Sequence, residues 1–510
     1  MKNFDELIKK KLECARKRGF YRTVDLFAGC GGMSLGFHRA GFRCVSSVEI
    51  DDKARASHEL NFHKAAAPFL YKAHPDITKI TPEESVAHLA SLCADSTEAV
   101  DVVIGGPPCQ AFSRLGRAAL WRLAGKDHAH GEDKRATMYA YYLQYVAKLK
   151  PIAFVMENVR EIGKHVGKNI AEEIALTAEE LGYNVRYTLL NAVWFGVPQL
   201  RERTFIIGIH KSLQAEPVFP AISHKYKLPV GYSTSRAGTG HIEFLEPHDH
   251  YVDHLEFAKR TSPAVTAEQA FVDLPPIKHH LDGRKGKGHP RRTEDKMLYG
   301  SASNEFTRNM RNWPGFRNNG TEVSGHIIRY TPRDYETFRR MPNGGMYPEA
   351  LATAEVIFQE ELSNLEKKLG KPIRHGSHDW QELRDAIVPP YKPDRYPNKF
   401  RKMWANQPSR TVPAHIGKDA YSHIHFDSSQ ARGISLREAA RLQSFPDGFK
   451  MCGSMNAQLK QIGNAVPPLL AYAVATQLSQ SLCGVSTEIS QKTNLSKTGS
   501  PGGRRKLKCH

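Results

Sequence analysis

The sequence carries eight cysteines in 510 residues but no C-x-x-C pair and no His/Cys cluster of zinc-ligand spacing. Single scattered thiols exclude a disulfide framework and a structural zinc site, and they read as the reduced cysteines of a cytosolic protein. No apolar run reaches membrane-spanning length, and the start, Met1-Lys-Asn-Phe-Asp-Glu, lacks the apolar core of a secretory signal. The expected location is therefore the cytoplasm. Acid is also scarce: 72 Lys and Arg stand against 53 Asp and Glu, a formal charge of +19. That excess suits a polyanionic partner, because Lys and Arg neutralise phosphates and release their counterions. A merely basic surface gives the same count. Residues 491–510 hold Lys492, Lys497, Arg504, Arg505, Lys506 and Lys508 with no acid, among Gly, Ser and Pro. Such a composition reads as a disordered tail.

The length allows two or more domains. Residues 7–18 read as a basic helical lead-in; Arg22 to Phe27, Gly41 to Val48, Asp101 to Ile104, Ile152 to Met156, Val185 to Leu190 and Thr204 to Gly208 read as strands, with helix-length intervals between most of them and a helix between the first two starting near Met33. This alternation predicts an α/β fold, a Rossmann-like, mostly parallel sheet covered on both faces. Ligands of such sheets bind beyond the carboxyl ends of the strands. From about residue 211 to 407 the texture is irregular and rich in Gly, Pro, His and Arg, which predicts a second domain inserted in the first. Ser435 followed by Glu438 has the spacing of a capping box, and a helix from Pro468 to about Gln480 is apolar enough to dock on the first domain. The expected partition is 1–210 catalytic, 211–407 inserted, 408–485 hinge and return, and 486–510 tail.

Two groups of residues carry chemistry. Asp25-Leu-Phe-Ala-Gly-Cys-Gly-Gly32 is a strand, a glycine turn and a helix start, in which Gly29, Gly31 and Gly32 let backbone approach a ligand closely. Glu49 closes the second strand where a carboxylate accepts ribose hydroxyls, and Asp76 offers a carboxylate to an adenine amino group. These acids fit a ligand with ribose and adenine but no phosphate, such as S-adenosylmethionine, better than a dinucleotide. A solvated Glu49 and a helix-capping Asp76 remain the plain alternatives. The second group begins with Cys109 in Gly105-Gly-Pro-Pro-Cys-Gln110, a thiol placed by two prolines after a strand, hence a candidate nucleophile. Glu157 emerges from an apolar strand where desolvation raises a carboxyl pKa, and Arg201 and Arg203 fall on one side of an extended segment. Either the three form a structural ion pair, or they serve one reaction. In that reaction a Cys109 thiolate adds to C6 of cytosine, Glu157 protonates or hydrogen-bonds N3, Arg203 holds O2, and C5 accepts a methyl group.

In these blocks, together with Arg437-Glu-Ala-Ala-Arg-Leu-Gln-Ser-Phe-Pro446 and Gln461-Ile-Gly-Asn-Ala-Val-Pro-Pro468, the chain resembles the DNA (cytosine-5)-methyltransferases, especially the bacterial modification enzymes. The resemblance implies that Cys109 is the nucleophile, that Glu157 and Arg203 hold a flipped cytosine, and that Arg201 supports them. It implies a cofactor pocket of Phe27, Gly29, Gly32, Glu49, Ile50, Asp76, Ile77, Pro107, Asn464 and Ala465. Residues after Cys109 resemble the family's mobile loop, with Gln110 and Ser113 as DNA contacts. Residues 211–407 inherit target recognition, with Arg284, Lys285, Lys287, Arg291, Arg292 and the run Arg339 to Gly345 as candidate contacts. Ser435 stands where the family has Thr, and Phe426 where it has Pro. The implied partner is duplex DNA with a specific short target, bound by a monomer that is paired functionally with a restriction endonuclease. A tRNA cytosine-5 methyltransferase and a non-catalytic regulator of the same fold are the rival readings.

Overall fold

The computed structural model describes residues 2–63, 71–90, 96–108, 138–163, 169–229, 249–253, 256–281, 297–417 and 420–493. By its internal contacts the chain divides into two units: Met1–Ala264 with Lys450–Cys452 and Ala465–His510, and Val265–Phe449 with Gly453–Asn464.

The first unit is built on strands β1 (Tyr21–Leu26), β2 (Phe42–Val48), β3 (Lys72–His74), β4 (Val102–Gly105), β5 (Ala153–Asn158), β6 (Tyr183–Asn191) and β7 (Glu202–His210). They form one seven-stranded sheet in the order β3-β2-β1-β4-β5-β7-β6. β1 pairs in parallel with β2 and β4, and β4 in parallel with β5, whereas β7 runs antiparallel to both its neighbours. The central strands are buried on both faces, which is why Val102-Val-Ile and Ala153-Phe-Val-Met read as unbroken apolar runs rather than alternating ones. The helix Met138–Leu149 covers one face, and the Tyr142 hydroxyl lies 3.0 Å from Val103 O and 2.9 Å from Val155 O, linking β4 to β5. On α2 (Gly32–Arg39), a Cβ at Gly36 would stand 2.5 Å from Ala471 Cβ and from Tyr472 N, so only glycine lets the helix Pro468–Thr493 lie this close.

The sheet is mostly parallel, as the alternation implied. Two features went beyond the pattern. β3 is three residues long with only His74 buried, too short to register as a strand. The first unit also runs past residue 210. Tyr187 N donates to His250 O at 2.9 Å, and Val252 N donates back to Tyr187 O at 2.9 Å. Ile222–Lys225 and Phe257–Pro263 then pair in parallel, which binds the chain as far as residue 263 to the first unit by backbone hydrogen bonds.

The second unit has an aromatic core that includes Phe338, Tyr347 and Phe400, with Ile424 and Met341, and it also buries charge. Ser435 and Glu438 form the capping box of helix Leu436–Leu442. Glu438 accepts from both terminal guanidinium nitrogens of Arg432 at 2.7 Å. Arg441, with no exposed side-chain surface, bonds Asp447 at 3.1 and 2.7 Å and also bonds Asp273. Burial alone would raise the Asp447 carboxyl, but Arg441 and Arg437 more than offset it and hold the pKa at about 2. A depressed carboxyl stabilises the fold above its ordinary value near ~4, and the contribution disappears as pH falls through about 2. Removing the Arg441 cation leaves Asp447 to Arg437 at 3.5 Å and Asp273 to Arg311 at 3.9 Å, both weaker than the bonds lost. Arg441→Met is therefore expected to cost about 3–5 kcal/mol in urea unfolding at pH 7, with the deficit shrinking as pH falls below ~4. Equal stability of the variant at pH 7 contradicts this account.

Candidate active site

The register of three parallel strands fixes where the site lies. Leu26 pairs with Gly105 and Gly105 with Met156, so the ends of β1, β4 and β5 stand level. A Cβ at Gly105 would meet Leu26 O at 2.3 Å, and glycine is what permits this pairing. Three segments consequently emerge side by side: the turn after β1, the Gly106-Pro107-Pro108 run after β4, and Glu157 on β5.

Glu157 is 9% exposed and its Oε1 lies 2.8 Å from Arg203 Nε. β7 delivers the arginine: Phe205 pairs with Glu157 and Thr204 with Asn158, so Arg203 sits beyond the end of β5. Burial raises the Glu157 carboxyl above the usual range, while Arg203 and then Arg201 oppose the shift. Arg201 is buried, and burial followed by repulsion from Arg203 depresses its guanidinium, with Glu157 opposing. Its backbone is tied down, since Ala192 N donates to Arg201 O at 2.8 Å and Arg201 N donates to Asn191 Oδ1 at 3.3 Å. The carboxylate and two guanidiniums thus form one coupled group. Its acid is biased toward the protonated form.

Asn158 follows Glu157 at the end of β5 and carries no signal of its own in the sequence. Its Nδ2 donates to Pro107 O at 2.8 Å, and a Cβ on Gly106 would lie 2.9 Å from Glu157 Oε2. The chain leading to Cys109 is thus held against the Glu157 strand. Cys109, Gln110 and Ser113 lie outside the described residues, as do Arg284, Lys285, Lys287, Arg291 and Arg292. Of the run from Arg339, Arg340 pairs with Glu336 at 2.7 Å and Glu360 at 2.6 Å, and Met341 is buried.

The glycine turn has left-handed backbone at Phe27, Gly29 and Gly31. Gly32 opens α2. Glu49 accepts from Gly29 N at 2.8 Å through one oxygen and from Asp51 N at 2.7 Å through the other. Burial raises its carboxyl, and these two backbone donors oppose the shift. Each oxygen keeps acceptor capacity for a further donor. Ile50, beside it, is 73% exposed, an apolar side chain without cover. Asp76 caps a turn rather than a helix, accepting from Thr78 N at 2.9 Å and Thr78 Oγ1 at 2.8 Å, and these bonds lower its carboxyl. Ile77 belongs to the hydrophobic core. Pro107 and Ala465 are buried in the first unit, whereas Asn464 is exposed at the end of a helix of the second.

A family model described as C-5 cytosine-specific DNA methylase matches residues 21–480. A candidate type II methyltransferase of Oceanobacillus iheyensis is 35% identical over 463 residues, covering 91% of this chain and 96% of that protein. The type II methyltransferase M.AgeI of Thalassovita gelatinovora is 29% identical over 476 residues, 89% of this chain and 98% of that one. Among solved structures, a candidate DNA modification methyltransferase encoded within an E. coli prophage shares the fold with a TM-score of 0.55 at 20% identity, over 91% of this chain and 99% of the other.

The opposition between burial and Arg203 at Glu157 can be measured. In Arg203→Met the carboxyl loses its nearest cation, so its protonated form is expected to persist to higher pH than in the wild type. Infrared titration of the protonated-carboxyl band, assigned by its loss in Glu157→Gln, reads this directly. An unchanged midpoint contradicts the coupling.

Proposed function

This chain belongs to the C-5 cytosine-specific DNA methylase family and is a DNA (cytosine-5)-methyltransferase, and from that premise we propose that it modifies a flipped cytosine within a specific duplex sequence by transient covalent addition of Cys109 to C6. The observation that carries the reading is the bond from Asn158 to Pro107 O, together with the contact of Gly106 with Glu157. These tie the polypeptide on which Cys109 follows to the raised carboxyl of Glu157 and its Arg203 partner.

Each residue has a task that its surroundings suit. A buried carboxyl with a raised pKa holds a proton at cytosine N3, and Arg203 and Arg201 offset charge around O2. Sulfur adds to the conjugated ring at C6 as the thiolate, and this makes C5 nucleophilic. After C5 has taken the methyl group it loses its proton to solvent or a base. The C6–S bond then breaks, restoring the aromatic ring and the thiolate. None of these atoms can meet while the base is stacked, hence the requirement for flipping.

The methyl donor of the family is S-adenosylmethionine, and the residues present fit it. Glu49 keeps free acceptor sites for ribose hydroxyls, exposed Ile50 offers an apolar face to a purine, and the Gly29–Gly32 backbone allows close approach. When bound, the cofactor supplies an electrophilic methyl group on a sulfonium sulfur. Phe27, Gly29, Gly32, Glu49, Ile50, Asp76, Ile77, Pro107, Asn464 and Ala465 are the proposed pocket. Residues 211–407 are proposed to read the target. The type II relatives support a role in protecting DNA against a cognate restriction endonuclease; that the chain acts as a monomer in the bacterial cytoplasm is part of the proposal.

Cys109→Ser is expected to lower methyl transfer to duplex DNA by about a thousandfold or more, and a duplex carrying 5-fluorocytosine at the target is expected to trap the wild-type chain in a denaturant-resistant adduct. Bisulfite sequencing of plasmid from expressing cells supplies the target for that duplex. Wild-type turnover by the serine variant, or no adduct, overturns the proposal.

A further inference from the structure

Beneath the glycine turn lies a file of five buried side chains that the steps above do not use. Ser34 Oγ stands 2.6 Å from Asp25 Oδ2, and His58 Nε2 3.1 Å from Ser34 Oγ. Tyr71 OH stands 2.6 Å from His58 Nδ1, and Ser47 Oγ 2.6 Å from Tyr71 OH. The direction of these bonds follows from proton counting. A carboxylate only accepts, so Ser34 commits its single proton to Asp25. A singly protonated His58 then donates from Nε2 to Ser34, and its Nδ1 accepts from Tyr71, whose oxygen accepts from Ser47. Burial raises the Tyr71 phenol well above its ordinary value, so that proton stays in place. The imidazole tautomer is assigned by this network.

The five residues come from separate segments: Asp25 on β1, Ser34 on α2, Ser47 on β2, His58 on α3 (Asp52–Phe62), and Tyr71 just before β3. Two of them meet the turn itself: Ser34 lies in the helix that it opens, and His58 packs against Gly31. Gly31 has φ of +99°, and a Cβ there would lie 2.9 Å from His58 Cδ2 and 2.5 Å from Phe62 Cε2. The turn backbone therefore rests on the edge of the imidazole. That ring in turn stacks on Tyr71, with centroids 5.5 Å apart and planes 12° from parallel. A rotated imidazole would release Gly31 and the first turn of α2 together.

We propose that His58 is a positioning residue for the cofactor: the file Ser47, Tyr71, His58, Ser34, Asp25 holds the Gly29–Gly32 backbone in its binding shape and so sets affinity for S-adenosylmethionine rather than the rate of chemistry. This rests on the reading of the turn as the cofactor site.

Tyr71→Phe keeps the ring and removes one proton from the file, whereas His58→Phe keeps a ring and removes both nitrogens. Calorimetric titration of the full chain with S-adenosylmethionine, without DNA, is expected to give a Kd weaker by about tenfold in each variant. KM for the cofactor rises in step, while turnover at saturating cofactor stays within about twofold. In the cofactor-free chain, amide exchange at Gly31 and Leu35 speeds up. A lowered melting temperature with wild-type Kd and wild-type exchange overturns the proposal, since the file is then only structural. If His58→Phe fails to fold, Tyr71→Phe decides alone. A wild-type chain that binds no S-adenosylmethionine overturns the cofactor-site reading itself, a result distinct from wild-type binding by both variants.

Discussion

The level register of β1, β4 and β5 is the constraint on which the site depends. Because Leu26, Gly105 and Met156 align across three parallel strands, the glycine turn, the proline run before Cys109 and the Glu157 carboxyl leave the sheet at one height. Glycine at 105 is the enabling residue, since any side chain would collide with Leu26 O. The antiparallel insertion of β7 beside β5 then supplies what a wholly parallel sheet lacks. It returns the chain along Glu157 and sets Arg203 2.8 Å from the carboxylate.

That pair is electrostatically poised. Desolvation outweighs two guanidiniums at Glu157, so the acid is raised in spite of them. Arg201 is itself depressed by burial and by Arg203. A buried group of this kind is weak evidence of stability, because the cost of desolvation absorbs much of the attraction. Under the proposed chemistry its use is different: charge developing on a bound ring would meet fixed partners that need not reorganise. The second unit buries charge on a different principle. Around Arg441 and Glu438 the ion pairs win over desolvation, as the depressed carboxyls of Asp447 and Glu438 indicate, and they tie segments far apart in sequence.

Much of this was legible in the sequence, for physical reasons. Strands buried on both faces leave unbroken apolar runs, and the motifs carrying Glu49, Glu157 and Arg203 sit at strand ends where ligands bind. What escaped was what pattern does not encode. Periodicity gives no direction, so the antiparallel sense of β7 was invisible, and β3 has too few residues to show a period. The attachment of residues 211–264 to the first unit lies in backbone bonds such as Tyr187 to His250, which no side-chain signal announces. The bond of Asn158 to Pro107 likewise depends on a neighbouring strand. Nothing in the sequence marks His58 or Tyr71, and only the fold brings Tyr71 against His58 and His58 against Gly31.

The central claim is that Glu157 and Arg203 act on cytosine as one unit, and a double-mutant cycle tests it most directly. Single-turnover methylation rates for Glu157→Gln, Arg203→Met and the double variant on one duplex are predicted to be strongly non-additive, the double variant losing little more than the worse single one. Additive losses would contradict the account, because they would mean that the carboxyl and the guanidinium contribute independently.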